Sequence, residues 1–252
     1  MIGDGTLILA SGGNGPVIPD FGGPPGGSKG CIAQNGIFCW DWVTAHWGDI
    51  LEPRLLEHLK MTVIAVGIGF AIAFAAALVA HRRSWFEAPF AIFSAFLYTI
   101  PSLALFQLLV PFTGLSLVTI EIGLVGYTLL ILFRNILEGL RSVPPDVLEA
   151  AHGMGLTRRQ LLVRVELPLA LPAIAAGTRI AVVTTISLAT VAAYITPLGL
   201  GQPIFYGLQT NFTTEFVATG LLAIALAIVA DGFLVVAQRL LAPWQRARRP
   251  AA

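Results

Sequence analysis

The stretch MTVIAVGIGFAIAFAAALVA, residues 61–80, runs for twenty positions without a charged side chain. As a helix rising 1.5 Å per residue it covers about 30 Å, the thickness of a bilayer's hydrocarbon core. No water is present there to satisfy backbone N–H and C=O groups, so the run must bond them internally. Four more runs follow it. Residues 89–110 form an uncharged run interrupted by Pro101, and residues 115–133 carry Glu121 near their start. Residues 167–195 carry Arg179 and residues 216–236 carry Asp231. Each run is too long for a barrel strand of about 9–11 residues. The fold class is therefore an all-α integral membrane protein with five transmembrane helices.

Composition agrees. Charged residues make up 12% and hydrophobic residues 56% of the 252, with a mean hydropathy of +0.80. A soluble domain carries about 25% charged residues to face water. The net charge of +1 supplies no field for nucleic acid, so the distribution of charge matters more than its sum. Arg82, Arg83, Arg134, Arg141, Arg158, Arg159, Arg164, Arg239, Arg246, Arg248 and Arg249 fall on one side of the five runs. Only Lys29, Arg54 and Lys60 fall on the other. The positive-inside rule then puts the N-terminus outside and the C-terminus in the cytoplasm, with the first run leaving the outer face.

Three regions follow. Residues 1–58 form an extracytoplasmic segment whose first ~30 residues, rich in Gly and Pro, read as disordered. They show neither the basic start nor the long apolar run of a cleaved signal peptide. Residues 59–241 form the transmembrane domain, and 242–252 a basic cytoplasmic tail. Cys31 and Cys39 either close a small disulfide loop, as an oxidising outer compartment allows, or remain two thiols. Trp40, Trp42 and Trp47 read as an interfacial belt or a short surface helix before the first crossing. His46, His58, His81 and His152 have no metal-ligand spacing and fall outside the apolar runs, so no metal and no catalytic residue is expected.

The longest inner loop, residues 141–168, is not composed like a linker. Pro144, Pro145 and Asp146 read as a helix start, continued by residues 147–152 and ended by Gly153 and Gly155. Thr157 with Gln160 three residues on reads as a capping box that opens a second helix, and Pro168 marks where the next crossing begins. Within this loop Glu149-Ala150-Ala151, three residues, Gly155, nine residues, then Val165-Glu166-Leu167-Pro168 resembles the EAA motif of binding-protein-dependent ABC importer permeases. The only departure from E-A-A-x3-G-x9-I-x-L-P is Val165. The resemblance implies coupling helices that dock into a cytoplasmic ABC ATPase, with Glu149, Ala150, Ala151, Gly155, Thr157, Arg158 and Pro168 as the coupling residues. It also implies that ATP and Mg are bound by that partner ATPase, with no cofactor in this subunit. The chain has no G-x-x-x-x-G-K-[ST] phosphate loop.

A narrower resemblance covers most of residues 61–244. Thr99-Ile100-Pro101-Ser102-Leu103-Ala104, Leu132-Phe133-Arg134-Asn135, Gly177-Thr178-Arg179, Leu200-Gly201, Val229-Ala230-Asp231 and Gln238-Arg239-Leu240 are together similar to permeases for osmoprotectants. That family implies uptake of a quaternary amine such as glycine betaine, choline or carnitine. It implies an extracytoplasmic solute-binding protein, a second permease subunit as homodimer or heterodimer, and a bacterial or archaeal cell (inner) membrane. The turn at residues 196–201 has fewer glycines than that family's. Alternatives are another small solute such as an amino acid, or an ion-coupled secondary transporter, which would use intramembrane acids and need no such loop. Tyr98, Pro101, Tyr127, Arg179, Tyr194 and Asp231 are the candidates for the path or its gate, with Phe93 and Phe96 as further aromatics and Glu121 near the outer mouth. An isolated charge at mid-bilayer costs roughly 2.5–3.5 kcal/mol, so Arg179 and Asp231 either form a structural or gating pair inside the bundle, or each snorkels or is paired for stability alone.

Overall fold

A computed structural model describes residues 29–243. The expected disordered tail and the basic residues 246–249 lie outside the described residues. In chain order the helices are α1 (Lys29–Ala33), α2 (Trp40–Ala45), α3 (Glu52–Arg82), α4 (Ser84–Thr99), α5 (Ser102–Thr113), α6 (Leu117–Arg141), α7 (Pro145–Gly153), α8 (Arg158–Leu161), α9 (Leu167–Ala192), α10 (Gly201–Gln209) and α11 (Thr213–Leu241). Wide π turns lead into α3 (Trp47–Leu51) and join α8 to α9 (Leu162–Glu166).

Among the described residues, four continuous helical segments are long and apolar enough to cross a membrane singly, and α4 with α5 form a pair bent by 101°. Packing shows how that pair counts. Ala73, Ala77 and Ala80 of α3 share one cluster with Leu132, Ile136 and Leu140 of α6, while Met61 and Ala65 share another with Ile120 and Leu124. Thus α3 and α6 run parallel. The chain between them must return across the bilayer, and α4–α5 is that return. Glu87 near the start of α4 holds Arg141 at the end of α6 through two bonds of 2.9 and 2.5 Å. Thr113 at the end of α5 meets Thr119 at the start of α6 at 2.6 Å. With the broken pair as one crossing the described residues make five, and the arginine-bearing ends of α3, α6 and α11 lie together at one end of the bundle, the inner face.

The break itself is chemical. Pro101 has no N–H and forces the preceding residue out of the helical region, and Ile100 is extended (φ −68°, ψ 130°). The Ile100 carbonyl, orphaned by the break, accepts a hydrogen bond from the Tyr127 hydroxyl of α6. Helix contacts elsewhere use small residues, as expected where lipid gives no hydrophobic drive for association. Gly139 abuts Ala170 and Ala173, and Gly177 of α9 lies directly on Asn135 of α6.

The outer segment is tied to the far end of the chain. Cys31 and Cys39 form a disulfide. Asn35 accepts from the Thr213 N–H (2.9 Å) and donates to the Asn211 carbonyl (2.6 Å), so it caps α11 from outside that helix. Trp42 is buried against Phe212, ring centroids 5.3 Å apart, whereas Trp40 and Trp47 are exposed. Of the two expected forms, the short surface helix is the one found, α2 carrying Trp40 outward and Trp42 inward. A correction concerns histidine. Helix α3 starts well before the uncharged run, because residues 52–60 bury one face despite their charges. His58 consequently lies inside the helix and is fully buried, and His81 lies in its last turn.

Candidate coupling site at the inner face

Pro145 occupies the first turn of α7, where its missing N–H is no loss, and Asp146 complements the positive end of the helix. At the other end the Gly155 N–H bonds to the His152 carbonyl (2.9 Å) and the Leu156 N–H to the Ala151 carbonyl (3.3 Å). This paired closure requires a left-handed residue, and Gly155 supplies it with φ +79°. Gly153 lies within the helix and is not among the residues of positive φ. The expected capping box is present: Gln160 N–H bonds to Thr157 Oγ1 at 3.4 Å and Thr157 N–H to Gln160 Oε1 at 2.9 Å.

Of the EAA residues, Ala151 is buried, while Glu149 and Ala150 are exposed. Ala150 lies in an apolar stripe that the sequence reading passed over. Val147, Ala150 and Met154 fall at i, i+3 and i+7, and all face solvent, Met154 with 74% of its surface exposed. Val147 and Ala150 fall on the expected helix, and Met154 on the turn that closes it. Glu149, Arg158 and Arg159 are exposed and form no ion pair among the described residues. The site is a short amphipathic helix presenting its apolar stripe outward, with unpaired charges of both signs nearby.

Pro168 lies in the first turn of α9, as expected, but α9 has no free start. The helix is continuous from Arg158 to Ala192, passing through the π turn into α9 with Pro168 in the first turn of the regular α-helix. The wide turn shifts the hydrogen-bonding pattern just before a residue that cannot donate. The second loop helix and the fourth crossing therefore form one rod. Two further contacts anchor the inner rim: Glu166 on the π turn lies 3.3 Å from His81 of α3, and Arg141 grips Glu87. Neither pairing has a sequence signal, since the partners meet only through the packing of α3 with α9 and α4 with α6.

The candidate path residues fall into three groups and do not line one channel. Tyr98 and Tyr127 stack edge to face (5.7 Å) beside Pro101 at the broken crossing. Arg179 and Asp231 form a two-pronged pair (2.7 and 2.8 Å) between α9 and α11, about one-third exposed. Tyr194 lies at the outer end of α9 beside Phe205. Glu121 has both carboxylate oxygens buried without a partner. Among the described residues, no three of His, Cys, Asp and Glu are placed to hold a metal ion.

Against known proteins, residues 65–247 match the family described as binding-protein-dependent transport system inner membrane component. The osmoprotectant import permease protein OsmW of Salmonella typhimurium is 36% identical over 198 residues, 77% of this chain and 92% of that one. The choline transport system permease protein OpuBB of Bacillus subtilis is 35% identical over 197 residues, 78% of this chain and 90% of that one. The ergothioneine transport permease/ergothioneine binding protein EgtU of Helicobacter pylori is 44% identical over 143 residues, but these are 57% of this chain and only 26% of that protein. In shape, the chain is similar to one in an inward-facing MetNI methionine ABC transporter, with a TM-score of 0.65, 22% identity, and coverage of 74% of this chain and 93% of that one.

Proposed function

We propose, because this chain belongs to the family of binding-protein-dependent transport system inner membrane components, that it is the permease subunit of an ATP-binding-cassette importer for a small quaternary amine. The observation that carries the coupling role is the exposed Val147–Ala150–Met154 stripe on a capped helix joined to a rod that continues through the membrane. An apolar stripe of that kind, projecting from the inner face, needs a groove to cover it. A cytoplasmic ATPase supplies the groove and binds ATP and Mg, and this subunit performs no chemistry. A solute-binding protein delivers the solute at the outer face of the cell's inner membrane. Closure of the ATPases then moves α7, the π turn transmits the motion to α9, and the His81–Glu166 contact carries it to α3. Five crossings enclose no complete path, so a second permease subunit faces this one.

The quaternary amine is favoured by the named transport systems of the relatives. It also fits the charge arrangement. Arg179 is engaged by Asp231 and presents no free cation to repel a cationic solute, and the Tyr98–Tyr127 pair offers aromatic faces. Ergothioneine is the second reading, carried by the 44% identity to EgtU. The test is uptake into proteoliposomes holding permease, ATPase and binding protein, with labelled choline and labelled ergothioneine supplied separately. ATP-dependent accumulation of choline supports the reading. Accumulation of ergothioneine alone selects the second one. Accumulation driven by an ion gradient without ATP transfers the chain to the secondary transporters.

A further inference from the structure

At the outer end of α3, Arg54, Glu57 and His58 share one helix face, and all three engage the turn between α9 and α10. Arg54 Nη1 donates to Glu57 Oε2 (2.8 Å) and to the Pro197 carbonyl (3.3 Å). Glu57 Oε2 also accepts from the Gly199 N–H (3.1 Å). His58 Nδ1 accepts from the Leu200 N–H (3.2 Å), and its Nε2 lies 3.0 Å from the Ile186 carbonyl of α9. A ring that accepts at Nδ1 while facing a carbonyl at Nε2 must be the neutral tautomer with its proton on Nε2. His58 and Leu200 are both fully buried. Gly199 has φ +61°, and a Cβ there would lie 2.7 Å from Met61 Cε and 2.9 Å from His58 Nδ1. The turn is thus shaped to the first crossing at three backbone groups, and no side chain fits between them.

A histidine held this way exceeds what joining two helices requires. The turn already closes on itself, with Ile195 N–H on the Ala192 carbonyl and Leu198 N–H on the Thr196 carbonyl. What Arg54, Glu57 and His58 add is attachment of that turn to α3. We propose that these residues form an outer latch that makes the 196–200 turn and the start of α10 move as one body with the first crossing, His58 being the positioning residue. Its role rests on the chain being an importer permease: in such a protein the inner rim is driven by the ATPase, and the latch decides which outer elements follow. A solute-binding protein docked on the outer face then senses the ATPase through α3 and this turn.

The test uses the purified permease–ATPase complex in nanodiscs. ATP hydrolysis per assembled complex is measured with and without the solute-binding protein plus a mixture of choline, carnitine, glycine betaine and ergothioneine. His58→Ala keeps basal hydrolysis and lowers the stimulated rate by about fivefold, the equivalent of one net hydrogen bond. Asparagine and glutamine separate attachment from filling. An Asn Oδ1 reaches the position of Nδ1 and keeps the Leu200 bond, whereas a Gln Nε2 reaches the position of the ring Nε2 and keeps only the Ile186 bond. His58→Asn therefore restores stimulation and His58→Gln does not, although glutamine fills the space better. Stimulation of His58→Ala equal to wild type, or rescue by glutamine equal to that by asparagine, overturns the latch while leaving the importer reading intact. A wild-type chain that holds no ATPase, or whose complex does not respond to the mixture, removes the importer reading and the latch with it.

Discussion

Replacing Gly155 tests the coupling loop through its backbone alone. The residue has φ +79°, and a Cβ built there has nothing within 4 Å, so no packing is lost or gained. What remains is the cost of a left-handed conformation for a residue with a β-carbon, about 1–2 kcal/mol. That shifts the closed loop's population by a factor of roughly 5–30. Gly155→Ala should bear this cost, Gly155→Asn distinctly less because asparagine tolerates the left-handed region, and Gly155→Val more. Gly153→Ala is the control: Gly153 is helical, is not among the residues of positive φ, and also has open space around its Cβ. There, alanine should stabilise by about 0.5–1 kcal/mol. Amide hydrogen exchange across residues 150–161 reads the effect directly, since the Gly155 and Leu156 N–H groups close the turn. Affinity for the ATPase should fall in the same order. Equal exchange for the alanine, asparagine and valine variants would refute the reasoning, as would a Gly153→Ala loop that opens as much as Gly155→Ala.

Three further outcomes follow from particular contacts. Asp231→Asn leaves Arg179 without its partner inside the bilayer, so the yield of monodisperse detergent-extracted protein should fall, and the exchange Arg179→Asp with Asp231→Arg should recover part of it. Gly177→Ala places a Cβ directly on Asn135 and should lower Tm in detergent, because overpacking costs about 1–3 kcal/mol against a helix-propensity gain of only about 1 kcal/mol. Asn35→Ala removes the cap that α11 borrows from the outer segment and should cost about 0.5–2 kcal/mol, seen as faster exchange at Thr213 with the inner loop unchanged.

The five crossings were legible because a bilayer leaves a long apolar run no choice but a helix. The EAA loop was legible because its caps are local: Thr157 needs only Gln160, and Gly155 only the turn before it. Features that failed to show depend on partners distant in sequence. The run at residues 89–110 announced an interruption at Pro101, but its 101° bend is held by Tyr127 from the next crossing. His58 read as lying outside the membrane because charged neighbours precede the apolar run, yet its partners Ile186 and Leu200 draw it into the bundle. Pro168 was legible as the start of α9, but the π turn at residues 162–166 that joins α9 to α8 was not.

The coupling claim is tested most directly by co-purification of the ATPase with wild type, Val147→Asp and Met154→Asp, each chain first shown to be membrane-inserted and monodisperse. Both substitutions are on exposed side chains and leave the fold's interior untouched. The account predicts that wild type retains the ATPase and that either aspartate releases it. ATPase bound equally by all three chains would contradict it, and would place the docking surface somewhere other than the Val147–Ala150–Met154 stripe.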